Sequence, residues 1–158
     1  MPLNSEERAR LDAFREASMS FDAAYGLLAK SCGLSGPEYW SLVLIQEGIV
    51  TQRQISEQLC LSRQTLNSAF KVLIQRGLIC LEPFEHNQRS KRALLTPEGS
   101  RFLLTVIART RQLEEQAWQA LTAQEQQTLT LLTNRFSAAL SALLQPNTTK
   151  NPCSSEDL

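Results

Sequence analysis

One histidine in 158 residues leaves little room for metal or proton chemistry. A metal site needs clustered His, Cys or carboxylate ligands, and His86 stands alone in a polar stretch. The four cysteines, Cys32, Cys60, Cys80 and Cys153, are far apart with no C-x-x-C pair. That spacing writes neither a zinc ribbon nor a disulfide framework. Reduced thiols are expected, buried for Cys60 and Cys80. No glycine-rich phosphate loop and no nucleophile beside a base can be found, so an enzyme reading fails on chemistry. No catalytic residue, cofactor or metal is expected. No run reaches the ~18–20 apolar residues of a membrane span. The opening MPLNSEERARLDAF also lacks the apolar region of a secretory signal. The expectation is a cytoplasmic chain with no membrane partner.

What is present is ordinary in bulk and uneven in detail. Hydrophobic residues make up 42% and charged residues 20%, enough to bury a core around one domain with appended structure. The formal net charge is zero, yet the charges are not mixed. Residues 1–50 hold four Lys/Arg against seven Asp/Glu, residues 51–101 eight against four, and the remainder four against five. A basic centre between acidic flanks is the distribution of a chain that meets a polyanion in its middle.

Helix signals dominate. A first helix is expected from Ser5 to about Cys32, stopped by Gly33, and a second from Pro37 to Gly48. Ile49-Val50 reads as a short extended piece. Thr51-Gln-Arg-Gln54 matches a capping box, with Ile55 and Leu59 on the buried face behind it. Leu61-Ser62 then makes a tight turn, and Ser62 caps a helix that closes at Gly77. Along that helix Leu66, Ala69, Phe70 and Leu73 fall at i, i+3, i+4 and i+7, the spacing of a core-facing stripe. Gln64, Asn67, Ser68 and Lys71 repeat the spacing on another face. After Gly77 the period changes: residues 78–81 read as a strand and 92–96 as its antiparallel return, with residues 82–91 a long polar tip. Thr96-Pro97 opens a long helix to about Ala120. Thr122-Ala-Gln-Glu125 is a second capping box and starts a last helix ending near Pro146. The tail, 146–158, is expected to be disordered.

Helix, tight turn, helix and two-stranded ribbon make a winged helix-turn-helix. The fold class expected is mainly α with a small β-wing, flanked by long N- and C-terminal helices. The major groove of DNA admits one helix, and Asn or Gln pairs with adenine as Arg does with guanine. Ser62, Arg63, Gln64, Thr65, Asn67, Ser68 and Lys71 are therefore the candidate recognition-helix contacts to double-stranded DNA. Arg89, Lys91 and Arg92 sit where a wing tip can lay a guanidinium into the electronegative minor groove.

At this point residues 51–99 resemble the MarR family of bacterial regulators. The matching pieces are TQRQISEQLCLSRQTLNSAFKVLIQRGLI and NQRSKRALLTPEG. Flanking helices of the right number and order extend the likeness over about residues 3–145. The family's wing usually carries Asp-x-Arg, and this sequence has Asn87-Gln88-Arg89, which keeps the Arg and gives it an uncharged neighbour. The resemblance implies a homodimer built from residues 1–36 and 97–145, with residues 37–96 as the DNA-binding domain. It also implies a pseudo-palindromic operator, usually repressed, and a small aromatic effector; Phe14, Phe21, Tyr25 and Trp40 are the candidate effector pocket. The helix over 123–144 supports a dimer independently, because Leu129, Leu132, Phe136, Leu140 and Leu143 recur at three- and four-residue steps.

Two other functions compete. A winged helix can dock protein instead of DNA, but such a face should expose apolar anchors, and the recognition stretch is polar. A cysteine-based redox sensor needs a thiol of lowered pKa. Cys32 has only Lys30 nearby in sequence, and its neighbours do not resemble the family's sensing motif.

Overall fold

The computed structural model describes residues 2–84 and 87–144, without the side chains of 87–90. His86, Cys153 and the tail from residue 145 lie outside the described residues. The order is α1 (Ser5–Ser31), α2 (Gly36–Gln46), α3 (Gln52–Gln58), α4 (Arg63–Gln75), β1 (Ile79–Phe84), β2 (Asn87–Leu95) and α5 (Pro97–Phe102). A π-helical turn (Leu103–Ile107) leads directly into α6 (Ala108–Gln119), and α7 (Ala123–Leu144) follows. Two compact units emerge, Met1–Leu113 and Glu114–Leu158.

The first unit holds the core. Leu42, Ile55, Leu66, Phe70, Leu73, Ile79 and Ile107 are fully buried together, so α2, α3, α4 and the base of the wing share one apolar centre. Local signals place the elements around it. The Thr51 and Ser62 side chains accept from the backbone N–H of Gln54 and Thr65, the first at 3.3 Å and the second at 3.0 Å, which starts α3 and α4 as their sequences prescribe. Gly77 ends α4 in the left-handed conformation, φ 69°. Its neighbour Leu78 sends its N–H back to the carbonyl of Leu73 at 2.9 Å, closing the last turn.

The wing differs from the sequence expectation. β1 and β2 pair antiparallel from Ile79↔Leu95 out to Pro83↔Lys91, and an irregularity brings Phe84 opposite Asn87. Much of the stretch expected to be an open tip is therefore ribbon. Its outer residues carry no hydrophobic alternation, and backbone pairing together with the cross-strand Glu82–Arg92 ion pair holds them in register. At the base, the N–H of Ala93 reaches the carbonyl of Val50 at 2.7 Å and Thr51 bridges Arg92, so the short extended piece before α3 lies along β2.

The thiols also fall elsewhere than expected. Cys32 is buried, whereas Cys60 and Cys80 are both exposed. Cys80 alternates with Ile79 on β1 and so points off the core. Cys60 sits at φ 50° in the turn after α3, a conformation that carries it away from the buried face.

The helix after the wing is not uniform. Gly99, Leu103, Ile107 and Thr110 are its buried positions, separated by steps of four, four and three. A four-residue step overshoots a 3.6-residue turn, and the wider π turn absorbs the excess. Thr110 is thereby brought to Tyr39, hydroxyl to hydroxyl at 3.3 Å, while donating to the carbonyl of Ile107 at 2.8 Å.

In the second unit, Thr122 and Glu125 form the expected capping box: the Thr122 N–H donates to the Glu125 carboxylate at 2.8 Å and the Glu125 N–H to the Thr122 hydroxyl at 3.3 Å. The Thr122 N–H and then the Thr122 hydroxyl, both donating to the carboxylate, hold the Glu125 carboxyl below its ordinary pKa. No residue of α7 is buried in the chain.

Candidate nucleic-acid interface

The recognition helix divides its faces as its spacing prescribes. On α4, Leu66, Ala69, Phe70 and Leu73 are buried, while Arg63, Gln64, Thr65, Asn67, Ser68 and Lys71 are all exposed. Ser62 is spent on the cap and also meets the Thr65 hydroxyl at 2.8 Å. Ser68 bonds back to the carbonyl of Gln64 at 3.0 Å, which fixes its rotamer along the helix. Gln64, Arg63 and Lys71 are the long side chains left to reach outward.

Beside the start of α4 lies a polar concavity of about 700 Å³, walled by α3, α4 and the wing base. Thr51, Gln52, Arg53, Arg63, Asn67 and Lys91 contribute to it. The Gln52 amide donates to the Asn67 side chain at 3.2 Å, tying the two helices at its floor. Arg53 pairs with Glu57 at 2.8 Å, and the hydrogen bond to that carboxylate, then its charge, raise the guanidinium pKa further. Arg63 and Lys91 then stand as a positive pair across the concavity. Sequence reading gave Thr51 only a capping role and left Gln52 unremarked. That they also line a groove follows from the packing of α3 beside α4, which their types do not announce.

The wing residues separate into two kinds. Lys91 is exposed. Arg92 is half-buried and forms an ion pair with Glu82, its cross-strand partner, at 3.2 Å, while its Nε is buried without a hydrogen-bond partner among the described residues. Its guanidinium steadies the ribbon. Asn87 and Arg89 lie on β2, and their side chains are outside the described residues. Arg76, at the C-terminal end of α4, is engaged inside the unit. It donates to the carbonyl of Gly33 at 2.9 Å and lies 5.3 Å over the ring of Phe102.

A second hollow, about 400 Å³, lies between α1 and α2. Phe21, Tyr25 and Trp40 line it together, with ring centroids 4.8 Å apart for Phe21–Tyr25 and 5.4 Å for Tyr25–Trp40. Three of the four candidate pocket residues are thus brought together. Phe14, nearly two turns earlier on α1, is not among the lining residues. Sequence reading passed over the other three, Asp22, Gly26 and Gly36.

Residues 33–90 match the model of the MarR family. That segment is similar to a MarR-family winged helix. The segment matched runs from the end of α1 through the recognition helix to the outer part of the wing. A MarR family transcriptional regulator from Streptomyces coelicolor, solved in complex with DNA, superposes with a TM-score of 0.76 at 21% identity, covering 88% of this chain and 94% of that one. A probable transcriptional regulator from Pseudomonas aeruginosa gives 0.64 at 26% identity, over 78% and 93%. A transcriptional regulator from M. tuberculosis, also solved with DNA, gives 0.61 at 20%, over 84% and 96%. The MarR-like fold therefore extends well beyond the matched segment. A search of the curated proteins finds no significant relative. Among the described residues no helix is long and apolar enough to cross a membrane, and no cluster of His, Cys, Asp or Glu is arranged to hold a metal.

Proposed function

We propose that this MarR-like chain is a sequence-specific DNA-binding transcriptional regulator that acts as a homodimer on a pseudo-palindromic operator, as a repressor. One observation carries the reading: α4 turns an apolar face inward and, over its first residues from Arg63 to Lys71, a hydrogen-bonding face outward. That outward face offers amides, hydroxyls and two cations, the groups that read base edges and phosphates, and lacks the aromatic anchors of a protein-docking face. Arg63 and Lys91 supply phosphate contacts at the groove beside it, with Arg53 and Lys71 flanking. The family resemblance assigns Arg89 to the minor groove. Arg92 contributes by bracing the wing through Glu82, and the helix N-terminus behind Ser62 favours a nearby phosphate. Relatives solved with DNA support the same assignment.

Selection of bound duplexes from a random pool, followed by fluorescence anisotropy, tests it. Gln64→Ala should leave the fold intact, because alanine favours an exposed helix position, and should cost about 1–3 kcal/mol of discrimination at particular base pairs. Asn67→Ala should act similarly, with the added loss of its bond to Gln52. Unchanged base preference in both variants would show that α4 does not read the groove.

The dimer is supported by α7. Leu129, Leu132, Leu140 and Leu143 are all exposed along one helix of 22 residues. That apolar surface suits a second copy of the chain, which would present two recognition helices roughly 34–36 Å apart. Leu132→Glu with Leu140→Glu is expected to yield a monomer by analytical ultracentrifugation and to abolish operator binding at concentrations that saturate the parent. A double variant that stays dimeric would place the interface elsewhere. The hollow between α1 and α2 is the proposed effector pocket, where a small molecule would relieve DNA binding.

A further inference from the structure

The hollow between α1 and α2 has one charged wall. Of its six lining residues, three are aromatic, two are glycine, and Asp22 carries the sole formal charge. Among the described residues no Lys or Arg forms an ion pair with Asp22. The Phe21 and Tyr25 rings meet at 61° and the Tyr25 and Trp40 rings at 37°. The rings thus present faces and edges at several angles instead of stacking flat. Aromatic faces carry the negative lobe of the ring quadrupole and attract cations. Carboxylate and rings therefore have the same electrostatic preference.

The two glycines bear on the same point. Gly26 lies inside α1, where glycine costs about 1 kcal/mol relative to alanine. Its backbone is helical, so no positive φ requires it, and a Cβ built there meets nothing within 4 Å. Gly36, the first residue of α2, is equally open. Neither glycine permits a close approach or a turn. What each leaves is free volume in the hollow.

From these features we infer that the hollow binds a small organic cation, an amine or quaternary ammonium, held over the rings of Phe21, Tyr25 and Trp40 and paired with Asp22. The inference rests on the effector-pocket reading above and narrows it. A phenolate or benzoate of the same size would face the Asp22 carboxylate and is disfavoured.

The test uses the full chain with Trp118→Phe, which leaves Trp40 as the only tryptophan. Quenching of Trp40 is followed during titration with benzyltrimethylammonium, benzyl alcohol and benzoate. The cation is expected to bind most tightly and benzoate least. Asp22→Asn should weaken the cation about fivefold, the scale of an exposed charge pair, and leave benzyl alcohol unchanged. Gly26→Leu should fill the hollow and abolish quenching by all three without lowering thermal stability. Benzoate binding as tightly as the cation, or an unaltered cation affinity in Asp22→Asn, overturns the cation assignment while the hollow stands as a ligand site. Absence of quenching by any probe, or quenching that survives Gly26→Leu, removes the site itself. Release of the selected duplex is measured in parallel by anisotropy. A cation that binds without affecting the duplex leaves the cation site in place and ends the effector reading.

Discussion

Gly99→Ala is expected to destabilise the winged-helix unit by on the order of 3 kcal/mol, at the upper end of what overpacking costs. A Cβ built at Gly99 falls 1.9 Å from the carbonyl oxygen of Leu78 and 2.9 Å from its carbon. Both neighbours are backbone, and neither is free to move. The same Leu78 carbonyl accepts the N–H of Thr96 at 3.1 Å, while the Thr96 hydroxyl bonds the carbonyl of Gly77 and caps α5 at Gly99. Relief of the clash would have to pull α5 off the α4–β1 junction and break that set of bonds. In a chain of this size the loss should lower the melting temperature by about 10 °C, read by circular dichroism. Gly26→Ala is the control. Its Cβ has open space, so it should melt no earlier than the parent. Equal melting of Gly99→Ala and the parent would mean that α5 does not close on Leu78.

The second large effect concerns DNA. Removing Arg63, Arg89 and Lys91 together deletes three candidate cationic contacts to DNA per protomer, two at phosphates and one in the minor groove, six in a dimer. Each contact contributes about 0.9 to the slope of log affinity against log salt. The parent should therefore lose about 10³ in affinity between roughly 50 and 200 mM salt, and the triple alanine variant much less. At the lower salt the variant should bind about a thousandfold more weakly, whatever duplex is used. Such uniform weakening distinguishes phosphate contacts from the base-dependent loss expected of Gln64→Ala. A parallel salt slope in the variant would remove these cations from the interface. Arg63 and Lys91 have no ion-pair or hydrogen-bond partner among the described residues, so their removal should leave the melting temperature near the parent's.

The recognition helix was legible in the sequence because every local signal agreed. Ser62 caps it, Leu66, Ala69, Phe70 and Leu73 mark one stripe, and Gly77 ends it. Such agreement between propensity, period and capping is what specifies a structure. Where signals were weak, the reading fell short. The outer wing has Glu82, Pro83 and Lys91 in paired strands with no alternation, so nothing local distinguishes ribbon from loop. Cys60 ends α3 in a conformation usually left to glycine or asparagine, and its exposure could not be read from residue type. Arg92 looked like one more basic wing residue until register set it opposite Glu82. The hollow was half visible: Phe21 and Tyr25 stand one turn apart, but Trp40 joins them only when α2 packs on α1. Asp22 gives the hollow its charge, a contribution that depends entirely on that packing.

The π-helical turn at Leu103–Ile107 has a consequence for reading the helix beyond it. Because the chain winds more slowly there, every later side chain lags in angular phase behind an unbroken α-helix drawn from Thr96. A wheel projected with one constant pitch would thus swing Thr110 sideways, away from the Tyr39 hydroxyl it meets. Any comparison of this helix with one that lacks the wide turn needs its single-residue offset inside the helix, between 103 and 107, and not in a neighbouring loop.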